Sequence, residues 1–475
     1  MDTLPPQHAS TANPASAATP PAAAPPTATA AAAVTPPAAA PASAAAATPN
    51  AATATPDAAA PAAPVTAPAT QTPPVIQLGA GVVKRPTRMA DGRELIYFDD
   101  PGTTLGPTRN VDRRTLDPRP ATATMRLDVL TGDWISVAAA RQNRAFLPPA
   151  NLDPLAPQTA TNPSEVPSRY DVAVFENKSP SFGPALAYPE PPATPTDPTD
   201  PIPPTTPRSA PAAANPPSGL ADLAQLEIGK SRTSVGRCEV VCFSPDTHGS
   251  FGTQTVTRAR TVIEAWADRT AALGALPGVQ QVFPFENRGQ EIGVTLPHPH
   301  GQIYAYPYIT PRTSRLLDSI SRMGPDLMAR ILEFEQDGPR VVLQGEYFTA
   351  YVPFAARWPV ELHLMPHRHV PDFAALTAAE RDELAPLYLT LLRAVDALYP
   401  TPTPYIAAWH QAPVHVGRDT VRLHLEITSP RRAADKLKYL AGSEAAMGGW
   451  IADIVPEAAA ERLRDAAQTV KDSVR

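Results

Sequence analysis

The chain is 475 residues long, carries a formal net charge of −6 and contains two cysteines. A mildly acidic net charge argues weakly against a nucleic-acid binder, which usually shows a basic face, so no nucleic-acid partner is expected. No window supplies the roughly 18 uncharged apolar residues of a spanning helix, so no membrane partner is expected either.

From Met1 to about Pro74 the sequence is nearly all Ala, Pro and Thr, with Asp2 and Asp57 as its acidic residues and Lys84 as the first basic residue beyond it. So little large apolar surface cannot offset the entropy of ordering, and residues 1–75 are expected to form a disordered tail. The opening "MDTLPPQHAS" has neither the basic start nor the apolar block of a signal peptide, and a cytoplasmic location is expected. The remaining roughly 400 residues suffice for a large core.

Short β-patterned runs follow at "RELIYF", "GDWISVAA", "RYDVAVFEN" and "CEVVCFS", then at "HGQIYAYPYI", "RVVLQGEYFTAYVP", "VELHLMP" and "TVRLHLEI". A low-complexity stretch, Tyr188–Gly219, interrupts this pattern and is expected to be an inserted surface loop. Cys238 and Cys242, four residues apart in "RCEVVCFS", share one strand face and read as two small core residues in a reducing compartment. Helical spacing marks "TRARTVIEAWADRTAALGAL", "TSRLLDSISRMGPDLMARILEFEQ", "TAAERDELAPLYLTLLRAVDALY" and "PEAAAERLRDAAQTV". Strands and helices mix without regular β-α-β alternation, which predicts an α+β fold with antiparallel sheet. A strand followed by a His-bearing strand occurs twice, in "VFPFENRG…LPHPHGQIYAY" and again in "YFTAYVPFAARWPVELHLMPHRHV", hinting at an internal duplication.

The stretch "LPHPHGQIYAYPYI" concentrates the chemistry. In a strand, His298, His300 and Gln302 project to one face. Pro299 restricts the backbone of His298, and Gly301 is expected to let a ligand approach the backbone. Neutral imidazole attacks phosphorus well and departs readily, so a nucleotidyl-histidine would split one transfer into two. Gln302 could donate to a phosphoryl oxygen as charge develops. Metal ligation, or a merely polar strand face, is an equally open reading of the spacing.

The surrounding motifs narrow the choice. "ADGRELIYFDD", "GDWISVAAARQNR", "YDVAVFEN", "VVCFSPD", "PHPHGQIYAY", "PYIAAWHQAP", "RLHLEI" and "KYLAGSE…PEAAAERLR" occur in this order between about Arg85 and Arg464. Together they resemble the galactose-1-phosphate uridylyltransferase family, a branch of the histidine-triad superfamily. The resemblance implies two histidine-triad-like halves of mainly antiparallel sheet flanked by helices, over residues 76–310 and 311–475. It implies transfer of a uridylyl group from UDP-glucose to galactose 1-phosphate, giving UDP-galactose and glucose 1-phosphate, in galactose metabolism by the Leloir pathway. His300 would be the nucleophile, Gln302 the phosphoryl-binding residue, and His298 their companion. Arg141 and Arg144 match the family's paired arginines, and Asn177 and Asn287 its nucleotide-contacting asparagines. Lys178 stands where many relatives have an acid. Gly293 and Thr295 match a small residue and a hydroxyl near the phosphates, and Lys438, Tyr439, Gly442 and Glu444 a hexose-contacting segment. A homodimer is implied, and no organic cofactor.

The chain departs from the family at its metals. Relatives hold a structural zinc with a Cys-x-x-Cys pair, a later His and the first His of HPH. Here Asp153 and Ala156 occupy the cysteine positions, Thr247 stands at the later His with His248 one residue on, and only His298 is intact. The usual zinc is therefore expected to be lost or altered, with His298 held by hydrogen bonds. A second divalent site, from a Glu and three His in some relatives, is matched by His410, His424 and Glu426, whereas Leu316 stands where the acid belongs. His363, His367 and His369 are expected to be structural or to lie near the hexose. Competing readings are another histidine-triad nucleotidyltransferase or phosphorylase, and a nucleotide binder without catalysis. Deleting the residues before about Val75 is expected to leave activity and melting temperature unchanged, as assay and thermal melts of the truncated chain would show.

Overall fold

The computed structural model describes residues 70–117, 119, 121–143, 148–184 and 227–474. The Ala/Pro/Thr-rich segment 1–69, the stretch Tyr188–Gly219 and Arg144 lie outside the described residues. Among the described residues, twelve strands form one antiparallel sheet. In chain order they are β1 (Ile76–Gln77), β2 (Val83–Arg88), β3 (Glu94–Asp99), β4 (Val172–Glu176), β5 (Arg237–Cys242) and β6 (Gln281–Arg288). There follow β7 (His300–Tyr306), β8 (Val341–Gln344), β9 (Phe348–Tyr351), β10 (Val360–Pro366), β11 (Tyr405–His410) and β12 (His424–Ser429). Across the sheet the order is β8-β9-β10-β12-β11-β6-β7-β5-β4-β3-β2-β1. A separate three-stranded sheet joins Thr124–Asp128 to Asp133–Val137 and Ser231–Thr233.

Five helices flank the main sheet among the described residues: α1 (Val256–Gly274), α2 (Pro311–Met323), α3 (Leu327–Gln336), α4 (Ala378–Ala397) and α5 (Pro456–Val474). Local chemistry sets their ends. The Thr255 side chain accepts from the Arg258 backbone N–H at the start of α1, and Thr377 with Glu380 forms a capping box on α4. The single helix expected over Thr313–Gln336 is instead two, because Gly324 takes φ 110° and Pro325 cannot continue the ladder.

One face of the sheet is closed by α1 and α4. Val262, Trp266, Leu384 and Leu392 pack there on Ile303, Ala305, Leu425 and Ile427. On the opposite face α2 and α3 cover the second half, with Ile320, Met328 and Leu332 against Tyr351, Met365 and Val421. The first half carries a smaller cluster there, including Tyr97, Leu155, Tyr170, Phe175 and Cys242. Both cysteines are buried, outside any disulfide and on this face, as read from their spacing.

The two halves repeat one topology. In the first, β5 leads through α1 to β6, and β7 returns between them; in the second, β10 leads through α4 to β11, and β12 returns between them. The outer strands β6 and β11 then pair, from Phe285↔Ala408 to Arg288↔Tyr405, fusing the halves into one sheet. The duplication hinted at by the sequence is therefore present as topology, with β12 in the place of β7.

Two expectations need correction. Thr70 and Gln71, assigned to the tail, pair with Asn110 and Arg109, because an extended polar segment can still complete an open strand edge. A cut before Val75 would remove that pairing, so the cut belongs before Thr70. Gly301 does not serve ligand approach. A Cβ there would point into the helix-covered core, 2.7 Å from the Phe243 ring and 2.9 Å from the Phe285 carbonyl.

Glu286 lies buried at the seam, where its Oε1 accepts from the Tyr405 hydroxyl at 3.1 Å and its Oε2 has no partner among the described residues. Burial pushes its carboxyl up to about 7, against the smaller opposing effects of Tyr405 and Arg288. The native state thus holds this proton more tightly than the unfolded chain, and stability is lost as pH rises from the ordinary carboxyl value through 7. Between about pH 5 and about pH 8, denaturant melts should show Glu286→Gln gaining roughly 3 kcal/mol relative to the parent chain. Gly301→Ala should cost about 1–3 kcal/mol in the same melts through overpacking.

Candidate active site

Strand alternation builds the site. On β7, Gly301, Ile303 and Ala305 face the core, while His300, Gln302 and Tyr304 face the uncovered side. These three line a cavity of about 320 Å³ with Arg141, Asn177, Lys178, Asn287, Gly293 and Thr295. The register places Asn287 opposite His300 on one side and Cys242 opposite it on the other. Gly293 sits at φ 83°, a left-handed bend that brings Val294 and Thr295 to the rim.

The imidazole of His300 is oriented from within its own strand. Its Nδ1 donates to the His298 carbonyl at 2.7 Å. A carbonyl only accepts, so the proton sits on Nδ1 and the lone pair on Nε2. His298 is buried, with Nδ1 2.7 Å from Asp153 Oδ2 and Nε2 2.8 Å from the Ser244 carbonyl and 3.1 Å from the Tyr170 hydroxyl. Burial alone would raise the Asp153 carboxyl, but the hydrogen bond and charge of His298, with two backbone N–H donors, hold it below its usual range.

Gln302 presents Oε1, buried and without a partner among the described residues, beside the cavity. Arg141 donates to Ser181 Oγ at 2.9 Å and reaches the Tyr304 hydroxyl at 3.4 Å. Asn177 is buried and accepts from the Ser179 N–H at 2.9 Å. Lys178 is exposed at the rim. Arg93, Glu165 and Tyr304 also line the cavity and were not foreseen. Tyr304 was readable as the next alternate residue after Gln302. Arg93 and Glu165 are joined to each other across 72 residues, a contact no local pattern reveals.

The structure does not bring the C-terminal segment to this cavity. Lys438 is buried, donates to the Arg357 carbonyl at 3.0 Å and lies 3.5 Å from Glu444; Tyr439 and Gly442 are exposed, and none of the four lines the cavity. His248 is exposed and belongs to no metal-capable cluster among the described residues, Ala156 offers no donor, and the Asp153–His298 pair alone remains of the zinc positions. This donor set does not fit a tetrahedral zinc cage.

The second half holds a metal-capable group at the place equivalent to His300. His424 Nδ1 donates to the Arg422 carbonyl at 2.9 Å, repeating the His300–His298 bond. Its ring stacks on that of His410, its cross-strand partner, at 4.9 Å between centroids. Glu426 lies 3.6 Å from His410 Nε2 and 3.7 Å from His424 Nε2, and the ligand atoms of the three fall within 4.8 Å of one another. Burial, with His410 alongside, lowers His424 to about 3, so the ring is neutral. Burial opposes ionisation of Glu426, yet His410, His363 and Arg312 hold its carboxyl well below the usual range. His363, read as structural or near the hexose, stands 3.9 Å from Glu426 at the edge of this cluster. His367 bonds Thr349 at 2.8 Å and His369 the Arg418 carbonyl at 2.8 Å. Leu316 packs in the core under α2, and Arg312, one turn earlier, reaches Glu426 at 2.5 and 2.6 Å.

No helix among the described residues is long and apolar enough to cross a membrane. A family model for the galactose-1-phosphate uridyl transferase N-terminal domain matches residues 214–310, and one for the C-terminal domain matches 311–474. A galactose-1-phosphate uridylyltransferase of Streptomyces lividans is 41% identical over 405 residues, covering 81% of this chain and 98% of that protein. One from Thermotoga maritima is 30% identical over 347 residues, covering 72% and 98%. A solved uridylyltransferase structure, 28% identical, superposes with a TM-score of 0.59 over 73% of this chain and 99% of its own. With both domain models matched, and a relative covered almost end to end, the chain belongs to the galactose-1-phosphate uridylyltransferase family.

Proposed function

We propose that this chain converts UDP-glucose and galactose 1-phosphate to UDP-galactose and glucose 1-phosphate through a uridylyl group carried on His300. The observation that carries this reading is the bond from His300 Nδ1 to the His298 carbonyl, which leaves the lone pair on Nε2 of a residue lining the cavity. In the first step Nε2 attacks the α-phosphorus of UDP-glucose, and the bond from that phosphorus to the bridging oxygen breaks. Glucose 1-phosphate leaves with the bonding pair. In the second step a phosphate oxygen of galactose 1-phosphate attacks the same phosphorus, and the P–N bond breaks to return the imidazole. Leaving group and entering nucleophile are already ionised phosphates, so no strong base is required.

Supporting roles follow from placement. The amide of Gln302, with its orphaned edge at the cavity, is suited to a phosphoryl oxygen once the amide turns to present Nε2. Arg141, beside Tyr304, would supply a guanidinium group to the phosphates, and Arg144 is assigned the same task from the sequence match alone. Asn177, Asn287, Gly293 and Thr295 line the nucleotide space. Lys438, Tyr439, Gly442 and Glu444 would contact hexose in the cavity of a second copy, and Tyr439, Met447, Ile451 and Val455 expose apolar surface that a homodimer would cover. His410, His424 and Glu426 would hold a divalent cation, if Arg312 swings off Glu426; the ion would cross-link β11 to β12.

Intact-mass spectrometry after mixing with UDP-glucose alone tests the route. One acid-labile uridylyl group should appear on the parent chain and none on His300→Ala. An adduct with an adenine nucleotide instead would point to another histidine-triad transferase, and no adduct from folded protein would point to a binder without catalysis.

A further inference from the structure

We infer that Asp153 does without a metal what a metal corner would do, holding His298 so that its carbonyl locks His300; Asp153 is thereby a positioning residue for the transfer. The inference rests on the reading of His300 as nucleophile. Its basis is the donor count around His298. Nδ1 faces Asp153 Oδ2 at 2.7 Å, and an ionised carboxylate only accepts. Nε2 faces the Ser244 carbonyl at 2.8 Å, which also only accepts. The Tyr170 hydroxyl, 3.1 Å from Nε2, spends its proton on the Leu155 carbonyl at 2.7 Å and so turns its oxygen toward the ring as a third acceptor. Each ring nitrogen therefore faces acceptors, and the groups around the ring answer N–H donors rather than a cation.

The remaining contacts complete the corner. Asp153 Oδ1 accepts from the Leu155 N–H at 2.9 Å, and the Asp153 carbonyl accepts from Asn162 Nδ2 at 2.8 Å. His298, Asp153 and Tyr170 are all under 5% exposed. A buried His–Asp pair persists only when its other polar atoms are also satisfied, and here they are. The corner then transmits its position over a single covalent step. The Phe243 N–H holds the Pro299 carbonyl at 3.1 Å, and the His298 carbonyl receives Nδ1 of His300 at 2.7 Å. Pro154 and Leu155, next to Asp153, also line the cavity, so the segment that carries the anchor forms a wall of the site.

Two measurements test this together. Elemental analysis of the parent chain and of His410→Ala/His424→Ala, before and after chelation, should leave the double variant with no stoichiometric zinc and its melting temperature indifferent to chelator. Asp153→Asn keeps the shape and removes the charge. It should slow formation of the uridylyl adduct on the order of 10- to 100-fold. The KM for UDP-glucose should change by less than about threefold, a split that general destabilisation would not produce. Tyr170→Phe, which removes one acceptor from the ring and one donor from the Leu155 carbonyl but keeps Asp153, should fall between this variant and the parent chain. Stoichiometric zinc in the double variant that is lost on changing Asp153 or His298 would overturn the inference. So would an unchanged adduct rate in Asp153→Asn. Absence of adduct in the parent chain would instead sink the nucleophile reading, and the zinc result would still decide what holds His298.

Discussion

The hydrogen bond from His300 Nδ1 to the carbonyl two residues back is the constraint on which the site depends. It selects the tautomer of the neutral ring, and so decides which nitrogen holds the lone pair. It holds only if residues 298–300 keep one backbone geometry. Pro299 restricts that geometry, pairing with β5 and β6 clamps the strand that follows, and the buried side chain of His298 anchors its start. Rotation about any of these would leave a histidine in the cavity without a fixed tautomer. Gly301 belongs to the same arrangement, because only a residue without Cβ lets β7 lie this close to Phe243 and Phe285.

The duplicated topology gives the molecule this device twice and lets only one copy stay open. His424 makes the same i to i−2 bond on β12 as His300 does on β7. The two strands are separated by β6 and β11, three strand spacings or roughly 14 Å apart on the same face. What differs is the covering. Over β12, α2 and α3 bury the face, and Arg312, His410 and Glu426 surround the ring. Neutral His424 beside ionised Glu426 is chemistry suited to a fixed ion or a fixed ion pair rather than to a passing nucleotide. Over β7 the small first-half cluster leaves the strand face free to line a cavity.

Replacement of thiolates by a carboxylate changes what the corner under His298 can be. Cys-x-x-Cys with histidine offers lone pairs to a cation, whereas Asp153, Ser244 and Tyr170 offer acceptors to N–H groups. On the inference drawn above, rigidity at this corner rests on a complete set of hydrogen bonds around a buried His–Asp pair.

Much of this was written in the sequence by itself. Alternation in "HPHGQIYAY" determined that His300 and Gln302 share a face, and helical spacing with Thr255 and Thr377 at the caps determined α1 and α4, because these are local periodicities and local hydrogen bonds. The Gly324–Pro325 break was equally local, and was readable but passed over. Only the tertiary structure decided that Gly301 faces a core, that Tyr170 meets His298 across 128 residues, and that Arg312 rather than an acid approaches Glu426. It also decided that Lys438 to Glu444 lie away from the cavity of their own chain. Each of these depends on which strands become neighbours and in what register, and strand pairing joins residues whose distance along the chain carries no periodic signal.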